Sequence, residues 1–276
     1  MCSFVENFFE QKSFLLTQTP NKPYIKMKIT VHPDYRYLEP QLRRIVSGDY
    51  TVEKVFCKKR NIVEKVVLAG RPFVVKTFKR PTLANCFIYT FFRKSKAQRA
   101  YEYALMLLEK GVKTPFPVAY IEVKKNGFFH TGYFVAEYFD APTLSSILPG
   151  QYSADELSRI GSSFISFTIS LQEKRILPLD YNPGNIFYFP DEKSGGYNFA
   201  LTDINRMRFG GVLLNRNIMR SFEQFGVSTG HLYDFLLRYS IQRGVDLDFC
   251  MYQFLSFRIR KKLRRFIKER LRRGRN

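Results

Sequence analysis

From Tyr50 to Lys76 apolar and polar residues alternate in the manner of antiparallel strands. Tyr50, Val52 and Val55 lead to a basic turn at Lys58, Lys59, Arg60 and Asn61; Ile62, Val63 and Val66 to Leu68 follow. A turn at Ala69 to Pro72 precedes Phe73, Val74, Val75 and Lys76, so the pattern predicts a three-stranded meander closed by a lysine. The period then lengthens to that of a helix. Ser95 is a candidate N-cap, and Tyr101, Ala104, Leu105 and Leu108 share one face of a helix over 96–110, which Gly111, Pro115 and Pro117 end. A hairpin over 118–138 turns at Lys125, Asn126 and Gly127 and runs into Asp140, Ala141, Pro142 and Thr143. Beyond it the chain reads as mostly helical. Ser153 and Glu156 form a capping-box pair, and Leu157, Ile160, Phe164, Phe167 and Leu171 mark a buried stripe reaching about Lys174. Further helical patterns run near 213–225, 229–243 and 246–271. A sheet followed by helices predicts an α+β protein divided near residue 140.

Between the helical patterns lies a stretch with a different character, LPLDYNPGNIFYFPDEKSGGYNFALTDINRMRF over 177–209. Two apolar runs flank a polar turn at Gly195 and Gly196. A hairpin there brings Asp180, Asn185 and Asp203 to one end of a small sheet. Three converging side-chain oxygens suit Mg-assisted phosphoryl transfer: one carboxylate orients a hydroxyl while an amide oxygen and a second carboxylate hold the metal on ATP phosphates. An Asp followed by four residues and an Asn is the spacing of the second half of the kinase catalytic loop. The same six residues, DYNPGN, are also ordinary turn formers. In a kinase-like lobe the lysine of the third strand, here Lys76, reaches the α and β phosphates. A glutamate on the next helix, here Glu102, holds that lysine in place.

Composition changes the picture in one respect. The 276 residues include 45 Lys and Arg against 24 Asp and Glu, a formal charge of +21, which calls for an anionic partner. Eleven of those cations, against Glu269 alone, fall between Arg258 and Arg275. Leu255, Ile259, Leu263, Phe266 and Leu271 recur among them at helical spacing. This is a basic amphipathic helix, which either lies on an anionic membrane surface or packs its stripe on the preceding helices. No nucleic-acid module accompanies it, so no specific nucleic acid is expected. The apolar decapeptide Leu83 to Phe92, with Arg93, Lys94 and Lys96, reads either as a surface for acyl chains and phosphates or as a helical insert in the core. The four cysteines are scattered, with neither zinc nor disulfide spacing, which favours a reducing compartment. Glu6 and Glu10 interrupt the N-terminus, so no secretion signal is read there, and no apolar run is long enough to span a bilayer.

With Lys76, Glu102, the Asp180–Asn185 spacing and Asp203 in hand, the sequence resembles the lipopolysaccharide core kinases. These are the Kdo and heptose kinases, Kdo/WaaP-like, of the protein-kinase-like superfamily. The segments DYNPGN (180–185), DINRMRF (203–209), FKRP (78–81), FFRKSKA (91–97) and GVKTP (111–115) carry the resemblance, which covers roughly residues 45–245. It implies a bilobal protein-kinase-like fold with an antiparallel-sheet N-lobe and a mostly helical C-lobe. The expected divisions are an N-terminal extension over 1–43, an N-lobe of five strands and one helix over 44–140, a C-lobe over 141–250 and the basic helix over 251–276. The implied activity is ATP-dependent phosphorylation of a Kdo or heptose hydroxyl on a lipopolysaccharide core or lipid A precursor, at the cytoplasmic face of a bacterial inner membrane. Asp180 would be the base, and Asn185 and Asp203 the Mg ligands. Lys76 and Glu102 would form the phosphate anchor, and Glu137 would lie where the strand runs out beside the adenine.

Two departures from the family pattern stand out. Pro178 occupies the position two before the base, where relatives carry His. The first turn holds Lys58, Lys59 and Arg60 in place of glycines, so that basic side chains would cover the phosphates. The alternative to an enzyme is a catalytically silent pseudokinase that uses the pocket and basic tail as a binding scaffold.

Overall fold

The structure is a computed structural model, and it describes residues 24–58, 61–225 and 229–273. The first lobe is built on one antiparallel sheet. Its strands are β1 (Ile25–Val31), β2 (Thr51–Cys57), β3 (Asn61–Leu68), β4 (Arg71–Phe78), β5 (Pro117–Lys125) and β6 (Phe128–Glu137), in the order β1-β5-β6-β4-β3-β2. The sheet therefore has six strands where the sequence predicted five. The additional strand, β1, lies in the expected extension and pairs with β5 from Ile25 opposite Lys125 to Val31 opposite Ala119.

Alternation along the strands decides what each face meets. Phe73 and Val75 of β4, with Ile121 and Val135, bury against Leu38, Leu42 and Ile45 of the segment that includes α1 (Glu39–Arg44). Val74 and Lys76, one residue out of phase, face the opposite side and line the cleft between the lobes. On that same side Phe78, Tyr120 and Phe134 pack against Ala97 and Tyr101. Two helices intervene between β4 and β5: α2 (Leu83–Phe91) and α3 (Lys96–Glu109), the latter capped by Ser95 Oγ accepting from the Gln98 amide.

The second lobe is mostly helical: α4 (Ala154–Glu173), α5 (Asn215–Ser221), α6 (Thr229–Arg243) and α7 (Leu247–Arg273). Four short strands present the polar residues of the 177–209 stretch. Strand β7 (Ile176–Pro178) pairs with β10 (Met207–Phe209), and β8 (Ile186–Asp191) pairs with β9 (Gly196–Leu201). Their core is aromatic, with Phe164 of α4 stacked on Tyr181 and Phe222 packed on Phe225.

Candidate active site

Between the lobes lies a cavity of about 560 Å³. Val63, Val74, Ala136, Phe139 and Phe187 line its apolar part; Lys76, Asn185 and Asp203 occupy its polar part. The local chain explains the polar arrangement. The hairpin register sets Ile186 opposite Leu201, and the Thr202 amide donates to the Asn185 carbonyl at 2.9 Å, so Asn185 and Asp203 leave the same end of the pair. A 3-10 turn over Pro183–Asn185, capped by Asn182 Oδ1 accepting from the Gly184 amide, folds the loop back. Asn185 Nδ2 then donates to the Asp180 carbonyl at 3.2 Å, which fixes the amide so that its oxygen has no partner among the described residues.

Asp203 sits at φ +52, in the left-handed region that non-glycine residues avoid. Such conformations cost on the order of 1–3 kcal/mol and persist where surrounding contacts hold them, commonly at functional sites. The holding contacts are present. Lys76 Nζ lies 2.5 Å from Asp203 Oδ1, and the buried Asn205 donates Nδ2 to the same oxygen. Asp203 Oδ2 therefore carries no hydrogen bond among the described residues. With Asn185 Oδ1 it forms a pair of hard oxygen donors, the chemistry Mg selects when phosphate oxygens complete its shell. Among the described residues no group of three or more His, Cys, Asp and Glu gathers in the manner of an all-protein metal cage.

Asp180 carries its carboxylate 3.7 Å from Arg206 Nη1. Beneath it Tyr181 is fully buried, and its hydroxyl meets Thr168 Oγ1 at 2.9 Å. Thr168 already donates to the Phe164 carbonyl, so Tyr181 is the donor of that bond. Pro178 lacks an N–H, but the β7–β10 ladder does not need one there. The Leu179 amide donates to Arg206 and the Gly210 amide to Arg175, which makes Pro178 opposite Met207 a non-hydrogen-bonded pair. The ladder itself ties the Asp180 loop to the segment after Asp203.

Four expectations change. Glu102 does not meet Lys76: its carboxylate takes Lys94 Nζ at 2.8 Å and Gln98 Nε2 at 3.0 Å. The reason is helical phase. Ala100 of α3 lines the cleft with Lys76, and Tyr103 packs on Phe209 at 5.1 Å, which turns Glu102 away. The buried stripe accordingly runs through Ala97, Ala100, Tyr101, Ala104 and Leu107 in place of Leu108. Lys58 is exposed outside the cavity lining, its carbonyl 3.5 Å from Lys79 Nζ, while Lys59 and Arg60 lie outside the described residues. Glu137 does line the cavity, yet its side chain is committed to Arg71 at 2.8 Å and to the Tyr35 hydroxyl.

Sequence reasoning passed over two residues. Asn205 holds Asp203, and its signal was an Asn two positions after the Asp. Arg99 is buried on α3 beside the site, and its signal was a cation one residue from Ala100 and four from Tyr103.

No protein-family model matches the chain, and no curated protein matches it in sequence. Among solved structures it is similar to "WaaP in complex with acyl carrier protein", with a TM-score of 0.56 and 15% identity, over 85% of this chain and 97% of that one. The chain has a protein-kinase-like bilobal fold. In that fold β6 leads into the linker between the lobes; Asp203 stands at the polar end of the cavity between them, and the β7–β10 ladder ties the Asp180 loop next to it.

Proposed function

We propose that the protein is an ATP-dependent kinase that phosphorylates a sugar hydroxyl, of Kdo or heptose, in the lipopolysaccharide inner core. The observation that carries this reading is the meeting of Lys76, Asn185 and Asp203 at the polar end of one apolar cleft, with Asp180, whose carbonyl takes the Asn185 amide, next to them. The family resemblance of the DYNPGN and DINRMRF segments supplies the acceptor class, and the likeness to WaaP agrees with it.

The apolar walls formed by Val63, Val74, Ala136 and Phe187 suit a purine base. Lys76 anchors the phosphates. Asn185 and Asp203 would hold Mg, which when bound neutralises charge on the β and γ phosphates. Asp180 accepts a hydrogen bond from the acceptor hydroxyl and aims its oxygen at the γ phosphorus. The new O–P bond forms as the bond to the β-phosphate oxygen breaks, ADP leaves, and the hydroxyl proton passes to Asp180 and on to water. Catalysis of this kind is positioning plus charge compensation. An anionic membrane surface, met through α7, would bring the enzyme to a lipid-linked acceptor from the cytoplasmic side.

The pseudokinase reading draws on one observation: among the described residues Lys76 pairs with Asp203 and with no glutamate, and Glu102 pairs with Lys94. The deciding experiment is phosphate transfer from labelled ATP to purified lipid A–core precursors with Mg, for wild type and Asp203→Asn. We expect incorporation into a core sugar by wild type alone. Retained ATP binding with no incorporation into any precursor would leave the scaffold reading standing.

A further inference from the structure

A second cavity, of about 530 Å³, opens beside the nucleotide cleft. The two share Asn61, Phe78, Asp203 and Asn205, but Asp180 lies only in the second. The nucleotide thus has one side of Asp203, and the base points into a separate space. That space is cationic: Lys79, Arg80, Arg93, Lys96, Arg99 and Arg206 line it against the two carboxylates of Asp180 and Asp203.

Arg99 is the decisive side chain. It is 8% exposed, and its only hydrogen bond among the described residues runs from Nε to the Ser95 carbonyl at 3.4 Å. It has no carboxylate partner among them. Burial, and next the repulsion of Arg93, push its guanidinium below the ordinary value, and Arg206 adds to this. A guanidinium stays charged even so, and one left unpaired in such surroundings is costly. Arg99 lines a cavity of a size for one or two sugars. Planar bidentate anions are the ligands this geometry compensates best.

We propose that this second cavity is the acceptor subsite and that Arg99 and Arg93 bind an anionic group, a carboxylate or a phosphate monoester, carried by the acceptor sugar or its immediate neighbour. The proposal rests on the kinase reading above and narrows it. A sugar acid such as Kdo brings its own carboxylate, whereas a neutral heptose would need an adjoining phosphate.

The test has two arms. In the first, steady-state transfer by the full chain is compared for wild type, Arg93→Gln, Arg99→Gln and Arg99→Lys, alongside Mg-dependent ATP hydrolysis without acceptor. The acceptor KM rises by about tenfold or more in the Gln variants and less in Arg99→Lys, while the KM for ATP and acceptor-free hydrolysis hold. Should Arg99→Gln fail to fold, the Arg80→Gln/Arg93→Gln pair carries the same expectation. An unchanged acceptor KM, or a change confined to ATP, overturns the subsite and leaves the kinase reading intact. Precursor with its sugar-acid carboxylate reduced to an alcohol, and precursor stripped of phosphate, separate the two anions: the one that no longer senses Arg93→Gln has lost the bound group. Full sensitivity in both overturns the proposal.

The second arm decides even if no transfer occurs. With the nucleotide cleft filled by Mg and a nonhydrolysable ATP analogue, inorganic phosphate or acetate raises the Tm of wild type and not of Arg93→Gln. No shift with either ion means that the cluster binds no anion.

Discussion

At the scale of single residues, Asp203 concentrates the chemistry. One carboxylate oxygen takes both Lys76 and Asn205, and the left-handed backbone keeps the other clear. Lys76 and Asp203 are each other's counter-charge, and phosphates with a metal inserted between them would keep both compensated. Lys76→Met should therefore lower kcat for transfer sharply and raise the KM for ATP of the residual activity. Glu102→Ala breaks the exposed Lys94 pair, worth at most about 1 kcal/mol, and the Gln98 hydrogen bond, neither of which touches the cleft, and should leave both kinetic constants within about twofold. A collapse of kcat in Glu102→Ala would mean that α3 rotates during turnover to bring Glu102 to Lys76. The motif residues were legible because the kinase spacing is local: Asp180 and Asn185 share one loop, and Asp203 lies one hairpin away. The role of Asn205, the Glu102–Lys94 pair and the burial of Arg99 were not. Each depends on the rotation of a helix or loop about its axis, which a stripe misjudged by one residue, Leu108 for Leu107, is enough to alter.

At the scale of elements, the edge strand β1 was hard to read. In β1, IKMKITV, Lys26 and Lys28 break up the apolar positions, and as an edge strand it pairs only with β5, so its pattern is weaker than that of the strands it extends. The helices with long apolar stripes were legible to within a few residues; the six-residue α1 was not read. Their exposure was not legible. The apolar α2 buries only Cys86 and leaves Leu83, Phe87 and Phe91 outside, with Phe92 just beyond, so it is not a core insert. In α7 the first two turns bury Cys250 and Phe254, while Ile259, Leu263, Phe266 and Leu271 stay exposed among the cations. Lys261 holds this helix to Glu223 at 3.1 Å. The junction suggests a clean cut. Removal of residues 258–276 should cost up to about 3–5 kcal/mol, because it strips the largely buried Glu223 of its cation, and abolish co-sedimentation with anionic vesicles at 0.15 M salt. Vesicle binding that survives the truncation would shift the membrane contact to α2.

At the scale of the whole molecule, hydrogen-bonded tyrosines in both lobes hold the fold, and their titration sets an alkaline limit. Tyr35 is pushed up to about 12, first by burial and then by its hydrogen bond to Glu137, the residue at the end of β6 where the chain crosses between lobes. Burial likewise raises Tyr50, which donates to Glu64 in the sheet, and Tyr181, which supports the Asp180 loop. Each of these folded values lies above that of an unfolded tyrosine, near 10. Their stabilising contribution is therefore complete below about pH 10 and is lost as pH rises through the folded values, because the unfolded chain releases the phenolic protons first. Lysines lose charge over the same range, which relieves the self-repulsion of a +21 chain and works the other way. That repulsion is spread over the surface and screened within about 8 Å at 0.15 M salt, whereas the tyrosines are buried and act at fixed hydrogen bonds. At that ionic strength the urea midpoint should hold between pH 8 and about 10 and fall steadily above it. Tyr35→Phe should flatten the fall between about pH 10 and 12, the span between the unfolded value and the raised folded one. A midpoint that stays level to about pH 12 in wild type would show that these hydroxyls ionise in the folded protein as readily as in the unfolded one, and that the Tyr35–Glu137 bond does not stabilise the first lobe.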